Sequence, residues 1–181
     1  MLRQHRLRAI GPDEMGSSGL NAEFIAGNSR GVTQNLRDLR TAAPAPPPEA
    51  AEDFAEQVLT AFESVYHRFF RGDPVANPRL RVETVAPAVV LDTMTVVLVT
   101  PWTLNGLFCP PSTAVPPEWL DVSGRPRRVF PGQIDGVGRY LSVHLLPDVS
   151  HLQSPQQVRT MAAAFAGPFG ASVRQWRTED R

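Results

Sequence analysis

The chain has 181 residues, a formal net charge of zero and a single cysteine, Cys109. Its length suits one folded domain with flanking segments, and its neutral charge supplies no overall field that would attract nucleic acid or an anionic membrane. One cysteine excludes an intramolecular disulfide and any cysteine-rich zinc or iron–sulfur site made by this chain alone.

Residues 1–48 are expected to form a flexible, proline-rich N-terminal tail. Gly, Ser, Asn, Gln and Arg dominate it, and it runs into AAPAPPPEA, which favours extended polyproline over helix. A docking arm that orders on binding is the alternative. The segment lacks the apolar stretch of a secretory signal and the adjacent arginines of a twin-arginine signal. No apolar run in the chain approaches the roughly 20 residues of a membrane span, so we expect a cytoplasmic protein without stable membrane insertion.

A long amphipathic helix is predicted next, over EAAEDFAEQVLTAFESVYHRFFRG. Its large apolar residues recur at helical spacing and form one stripe of Phe54, Val58, Phe62, Val65 and Phe69. Acidic residues fill the early turns and basic residues the last turn, as the helix dipole favours. Gly72 is expected to end the helix.

Alternating and continuous apolar patterns then predict about five strands. They cover residues 80–85, 88–92, 94–100, 127–134 and 138–147. The connections are short, and Asp135-Gly136 is a hairpin turn signal between the last two strands. We therefore expect antiparallel pairing rather than parallel crossovers.

A C-terminal helix is predicted to begin after Ser154. Ser154 is expected to cap it, with Pro155 at the first helical position and Gln157 completing a capping box. Gly167 is expected to end it, leaving residues 171–181 as a short C-terminal tail. The predicted fold class is α+β, an antiparallel sheet of about five strands packed with a long N-terminal helix and a C-terminal helix.

Few residues suggest catalysis or metal binding. His144 and His151 need a third ligand such as Asp148 to hold a metal, and no helical or paired-cysteine metal motif supports such a site. Cys109 would act as a nucleophile only if His144 approached it and lowered its pKa. No phosphate-binding or dinucleotide fingerprint occurs, since the glycines of PGQIDGVG suit a hairpin. We expect no catalytic residues, no cofactor and no metal.

The segment TVVLVTPWTLNGLFCPP, residues 95–111, stands out. A proline stops the apolar strand, and a tryptophan and further apolar residues follow before a double proline. Pro101 cannot donate to a strand ladder, and tryptophan is over-represented at binding hot spots. Two interpretations remain open: the segment is core turning a corner, or it is a surface that contacts a partner.

Several motifs in order resemble one known family. NPRLRVE, then VTPWTLNGLFCPP, then PGQIDGVGRYLSVHLLPDVSHLQSPQQVRTMA are similar to the HybE family of [NiFe]-hydrogenase assembly chaperones, without the rubredoxin domain that some members carry. The resemblance covers roughly residues 50–170 and assigns residues 49–170 to a chaperone domain.

This resemblance implies a non-enzymatic maturation chaperone. It would bind the small-subunit precursor, the large-subunit precursor or both of an uptake hydrogenase, together with other maturation proteins, and would coordinate cofactor insertion, assembly and twin-arginine export. The hypothetical client surface comprises Thr100, Pro101, Trp102, Asn105 and Phe108. Two alternatives stay open: a peptide-binding adaptor that works by strand addition, and a small thiol or metal enzyme using Cys109 and His144.

Overall fold

The structure is a computed structural model that describes residues 45–180. The predicted N-terminal tail therefore lies outside the described residues, apart from its last few positions. The elements are helix α1 (Pro48–Val65), a π-helical turn (Tyr66–Phe70), strands β1 (Glu83–Val90), β2 (Thr93–Val99), β3 (Leu104–Cys109), β4 (Trp119–Asp121), β5 (Pro126–Ile134) and β6 (Gly138–Leu146), and helix α2 (Pro155–Glu179).

The described strands form one antiparallel sheet of six strands in the order β1-β2-β3-β6-β5-β4. One apolar cluster joins α1 to one face of the sheet, and a larger cluster joins α2 to the opposite face. The predicted α+β class, with its antiparallel sheet and two helices, is confirmed. Neither helix in the described part of the chain combines the length and hydrophobicity needed to cross a bilayer.

Strand β2 is apolar on both faces because both helices cover it. Val96 and Leu98 belong to the cluster under α1, whereas Val97 and Val99 belong to the cluster under α2. Successive side chains of a strand point to opposite faces. A strand buried on both sides therefore reads as a continuous apolar run, as the sequence does here.

Strand β1 replaces the two strands expected over residues 80–85 and 88–92. The ladder with β2 is irregular between Val85 and Ala88, where Ala86 has a φ of 52° and Pro87 follows. An extra residue in a bulge bends a strand without ending it. The sequence break was therefore a bulge, and the prediction of two strands was wrong.

The segment after β2 returns through the sheet as β3, which was not predicted as a strand. β3 lies between β2 and β6, and Gly106 sits at its centre. A Cβ built on Gly106 would lie 2.8 Å from the ring of Phe169, so the glycine lets α2 pack closely on this strand. Strand β4, also unpredicted, has only three residues, too few for a clear alternating pattern.

The N-terminal helix changes character near its end. The α-helix stops at Val65 and continues as a π-helical turn before Gly72, which has a φ of 81°. A π-turn shifts the angular position of the residues that follow it. Phe54 and Val58 are buried as predicted, but Phe69 leaves the stripe and is 62% exposed.

Helix α2 is longer than predicted. Ser154 caps it as expected, because its side chain accepts a hydrogen bond from the backbone N–H of Gln157 at 3.2 Å. The expected end at Gly167 is wrong: the helix passes through Pro168 and reaches Glu179. An interior proline costs roughly 3 kcal/mol, but the helix beyond it buries Val173 and Trp176 against the sheet. Tertiary packing therefore outweighs the local break, and the segment predicted as a tail after residue 170 is mostly helix.

Candidate functional site

Four of the five residues predicted to contact a client are buried in this structure. Phe108 is fully buried between two aromatic rings of α2, 6.0 Å from Phe169 and 5.6 Å from Trp176 between centroids. Thr100, Pro101 and Asn105 are buried as well. Trp102 alone among the five has a partly exposed side chain. Only Trp102 can therefore contact a partner directly, and its neighbours can contribute by holding it.

The turn between β2 and β3 fixes Trp102. The backbone N–H of Thr103 donates to Thr100 Oγ1 at 3.0 Å, and the Thr100 hydroxyl donates to the Thr103 carbonyl at 2.9 Å. The Pro101 carbonyl accepts from the backbone N–H of Asn77 at 2.7 Å. A satisfied turn of this kind keeps the tryptophan in one position, which lowers the entropy cost of binding through it.

Trp102 stacks on the π-helical turn. Its ring lies 4.1 Å from that of Phe70 at an interplanar angle of 10°, and 6.3 Å from that of Tyr66 at 15°. Phe69, the residue before Phe70 in the π-helical turn, is 62% exposed, and the Arg68 guanidinium lies 5.2 Å from its ring centroid. We call Tyr66, Phe69, Phe70 and Trp102 the aromatic ledge. Rigid, half-exposed aromatic groups of this type are typical of binding hot spots.

An open groove of about 740 Å³ runs along the flank of α1, and Phe69 is the ledge residue that lines it. The tip of the β5–β6 hairpin forms its other wall. Phe69 and Arg68 are part of its lining, and three acidic residues, Asp53, Glu56 and Asp135, lie among otherwise neutral lining residues. The ledge therefore adjoins a concave surface that can hold a segment of a partner chain.

Comparison with known proteins identifies the family. The family model described as [NiFe]-hydrogenase assembly, chaperone, HybE matches residues 53–169. The chain belongs to the HybE family of hydrogenase assembly chaperones. Among solved structures, the solution structure of HybE from Escherichia coli is 21% identical, with a TM-score of 0.47, and the match covers 63% of this chain and 77% of that one. The search of curated proteins gave no match.

The matched region of this HybE-family chain runs from α1 to Phe169. It includes every residue of the aromatic ledge and the turn that holds Trp102. The two ledge residues that touch Trp102, Tyr66 and Phe70, were not predicted as site residues. Their spacing of four residues was visible in the sequence, but only the fold brings them to the β2–β3 turn.

The thiol-enzyme alternative is not supported by the geometry of Cys109 and His144. His144 lies opposite Asn105 in the β3–β6 ladder, whereas Cys109 is four residues farther along β3. At the rise of a strand, that offset separates the two positions by about 13 Å. Burial also raises the pKa of the Cys109 thiol, so the reactive thiolate is disfavoured at neutral pH.

We expect Cys109→Ser to leave client binding by this HybE-family chain unchanged. In the wild-type chain, Cys109 should react with iodoacetamide more slowly than free cysteine at neutral pH, because a raised pKa means that the thiolate appears only at higher pH. Alkylation rates measured across a pH series check this. A fast reaction at neutral pH, or loss of function in the serine variant, would restore the thiol hypothesis.

The metal alternative also lacks a cluster. Within residues 45–180, no group of three His, Cys, Asp or Glu side chains converges to hold a metal ion. His144 instead points its Nδ1 at Asn105 Oδ1, 2.8 Å away. Asp148 accepts from the backbone N–H of Ser150 at 2.8 Å, a bond that lowers the pKa of the carboxyl group.

Strand addition is opposed by prolines at both open edges of the described sheet. Pro87 lies in the bulge of the edge strand β1. On the other side, β4 covers only the first residues of β5, where the Val129 N–H donates outward to the Glu118 carbonyl. Alternate residues of β5 direct their backbone N–H groups toward this edge, and the next such residue after Val129 is Pro131, which has no N–H. An incoming strand would find an interrupted ladder at either edge.

Proposed function

We propose that this HybE-family chain binds precursor subunits of an uptake [NiFe]-hydrogenase in the cytoplasm. The proposed clients are the small-subunit precursor, the large-subunit precursor or both, together with other maturation proteins. By holding them, the chain would coordinate cofactor insertion, subunit assembly and export of the twin-arginine substrate. The single observation that carries this proposal is the family match over residues 53–169, which spans most of the described fold.

The aromatic ledge is the contact surface that we propose for the client. Phe69 offers most of its surface, while Trp102 is held in place by its stack on Phe70 and by the β2–β3 turn. An immature subunit exposes apolar segments that are later buried. A rigid aromatic surface beside an open groove can shield such a segment reversibly, because burial of apolar area favours association without any covalent step.

The proposed mode of action is binding rather than catalysis. Burial raises the pKa of Cys109, the only cysteine, and so favours its protonated thiol. Cys109 also lies four residues along β3 from Asn105, the residue opposite His144. Arg68 and the acidic groove residues give the surface both signs of charge. Charges of both signs around an apolar contact favour selection among partners more than tight affinity.

The experiment that tests this function is affinity capture of the tagged full-length chain from cells of its source organism, with mass spectrometry of the captured proteins. We expect hydrogenase precursor subunits to be enriched over a tag-only control, and to disappear from the captured set once processing is complete. Capture without any hydrogenase subunit, under conditions in which the hydrogenase is being made, would contradict the proposal.

A further inference from the structure

A second surface lies on the half of the sheet that α1 does not cover. On the face where Leu98 packs under α1, the ladder places Asn105 next to Leu98 and His144 next to Asn105. Val129 pairs with Val143, so the preceding Arg128 lies opposite His144. Trp119 of β4 pairs with Arg128. One row of side chains therefore crosses five strands, from β2 to β4, and continues beyond the edge of α1.

This surface is aromatic and cationic. Trp119 is 52% exposed and Phe130 is 39% exposed, and both lie outside the two apolar clusters. The Phe130 ring lies 5.2 Å from the His144 ring, and the Arg128 guanidinium lies 5.9 Å from the Phe130 centroid. We call Trp119, Arg128, Phe130 and His144 the open sheet face. Tryptophan and arginine grouped in this way are enriched at binding hot spots.

The positive charge on this face has no partner within the described chain. Arg128 makes neither an ion pair nor a side-chain hydrogen bond among residues 45–180, and its one aromatic contact is with Phe130. Asp121 lies on the same face two residues beyond Trp119, and it forms no ion pair with Arg128. An exposed guanidinium on an aromatic ring is ready to accept a carboxylate in bidentate geometry.

His144 is oriented by the interior of the fold. Its Nδ1 lies 2.8 Å from Asn105 Oδ1, and because an amide oxygen can only accept, Nδ1 is the donor in a hydrogen bond between them. Asn105 is 8% exposed, and the Thr103 hydroxyl beside it donates to the Leu146 carbonyl at 3.0 Å. The network holds the ring of His144, an exposed residue, in one orientation. This gives Asn105, predicted as a client-contact residue, a positioning role instead.

We propose that the open sheet face binds an acidic peptide segment of a protein partner, with a carboxylate on Arg128 and flanking apolar residues on Trp119 and Phe130. Charge complementarity favours this occupant: the face offers unpaired positive charge and aromatic surface together. A nucleic acid is disfavoured because a single arginine beside one histidine neutralises too few phosphates, in a chain of zero net charge. This surface shares no residue with the aromatic ledge, so substitutions can test the two contacts one at a time.

Site-specific photocrosslinking of the full-length chain in cells of its source organism tests the proposal. In one variant Phe130 is replaced by p-benzoylphenylalanine, and in a second variant Phe69 of the ledge is replaced in the same way. From position 130 we expect crosslinked peptides in which Asp or Glu lies within a few residues of an apolar side chain. Arg128→Glu should lower that yield at least about tenfold.

The matched control is Arg174→Glu, which makes the same change of charge at an exposed position on α2. It should leave the yield at position 130 unchanged, whereas Arg128→Lys should retain part of it. Crosslinks from position 130 to nucleic acid, to lipid, to a second copy of this chain or to basic peptides would overturn the proposal. A yield at position 130 that Arg128→Glu leaves unchanged, or the absence of any crosslink, would overturn it as well. Crosslinks from position 69 report on the ledge alone, so failure of either surface can be told from failure of the other.

Discussion

Replacing Arg177 with alanine is expected to lower the free energy of unfolding by about 3–5 kcal/mol, as for other buried ion pairs that lose one partner. The Arg177 side chain is 6% exposed and forms a two-pronged bond with Asp92, whose side chain is 14% exposed, at 2.9 and 2.7 Å. It also pairs with Asp180. Because the variant leaves Asp92 near the sheet without this cation, the last turns of α2 should detach from the sheet more readily.

Urea titration of purified variants measures this effect. Arg159→Ala is the matched control, since Arg159 makes a similar two-pronged pair with Glu83 but its side chain is 51% exposed. That change should cost less than about 1 kcal/mol. The double variant Asp92→Ala with Arg177→Ala should lose less stability than the two single variants added together. Equal losses in the Arg159 and Arg177 variants would show that the buried pair does not anchor α2.

The second large effect is expected for client binding. We predict that Trp102→Ala weakens the affinity for a hydrogenase precursor subunit by at least about 2 kcal/mol, roughly thirtyfold, as for other aromatic hot spots. Trp102→Phe should retain much of the affinity, because a phenyl ring can still stack on Phe70. Each lost ring pair should cost the fold about 0.5–1.5 kcal/mol beyond the apolar area that it buries. The alanine variant should therefore keep a cooperative thermal transition.

The sequence was sufficient for those parts of the fold that depend on local periodicity. The apolar stripe of α1, the continuous apolar run of β2 and the serine cap of α2 all follow from spacing and side-chain chemistry within one segment. The end of α2 does not. Gly167 and Pro168 favour termination locally, and only the burial of Phe169 and Trp176 against a distant strand keeps the helix intact.

The site was predictable only in part for the same reason. A tryptophan after a strand-ending proline was a sound signal, but Phe108 carries the same apolar character and lies in the core. Burial on the α1 face or the α2 face is decided by strand register, which a single sequence specifies weakly at a turn. Trp119 was missed because β4 has only three residues, too few to show alternation. Arg128 and Phe130 lie on a predicted strand, but only the order of the strands shows that their face of the sheet is uncovered.

The most direct test of the account is the dissociation constant between the purified full-length chain and a purified hydrogenase precursor subunit, measured by calorimetry for wild type, Trp102→Ala and Trp102→Phe. The account predicts measurable wild-type binding, a loss of at least about thirtyfold in the alanine variant and a smaller loss in the phenylalanine variant, with all three chains folded. Equal affinity in all three, or no binding by the wild-type chain, would contradict the claim that the chain acts by holding an immature subunit on its aromatic ledge.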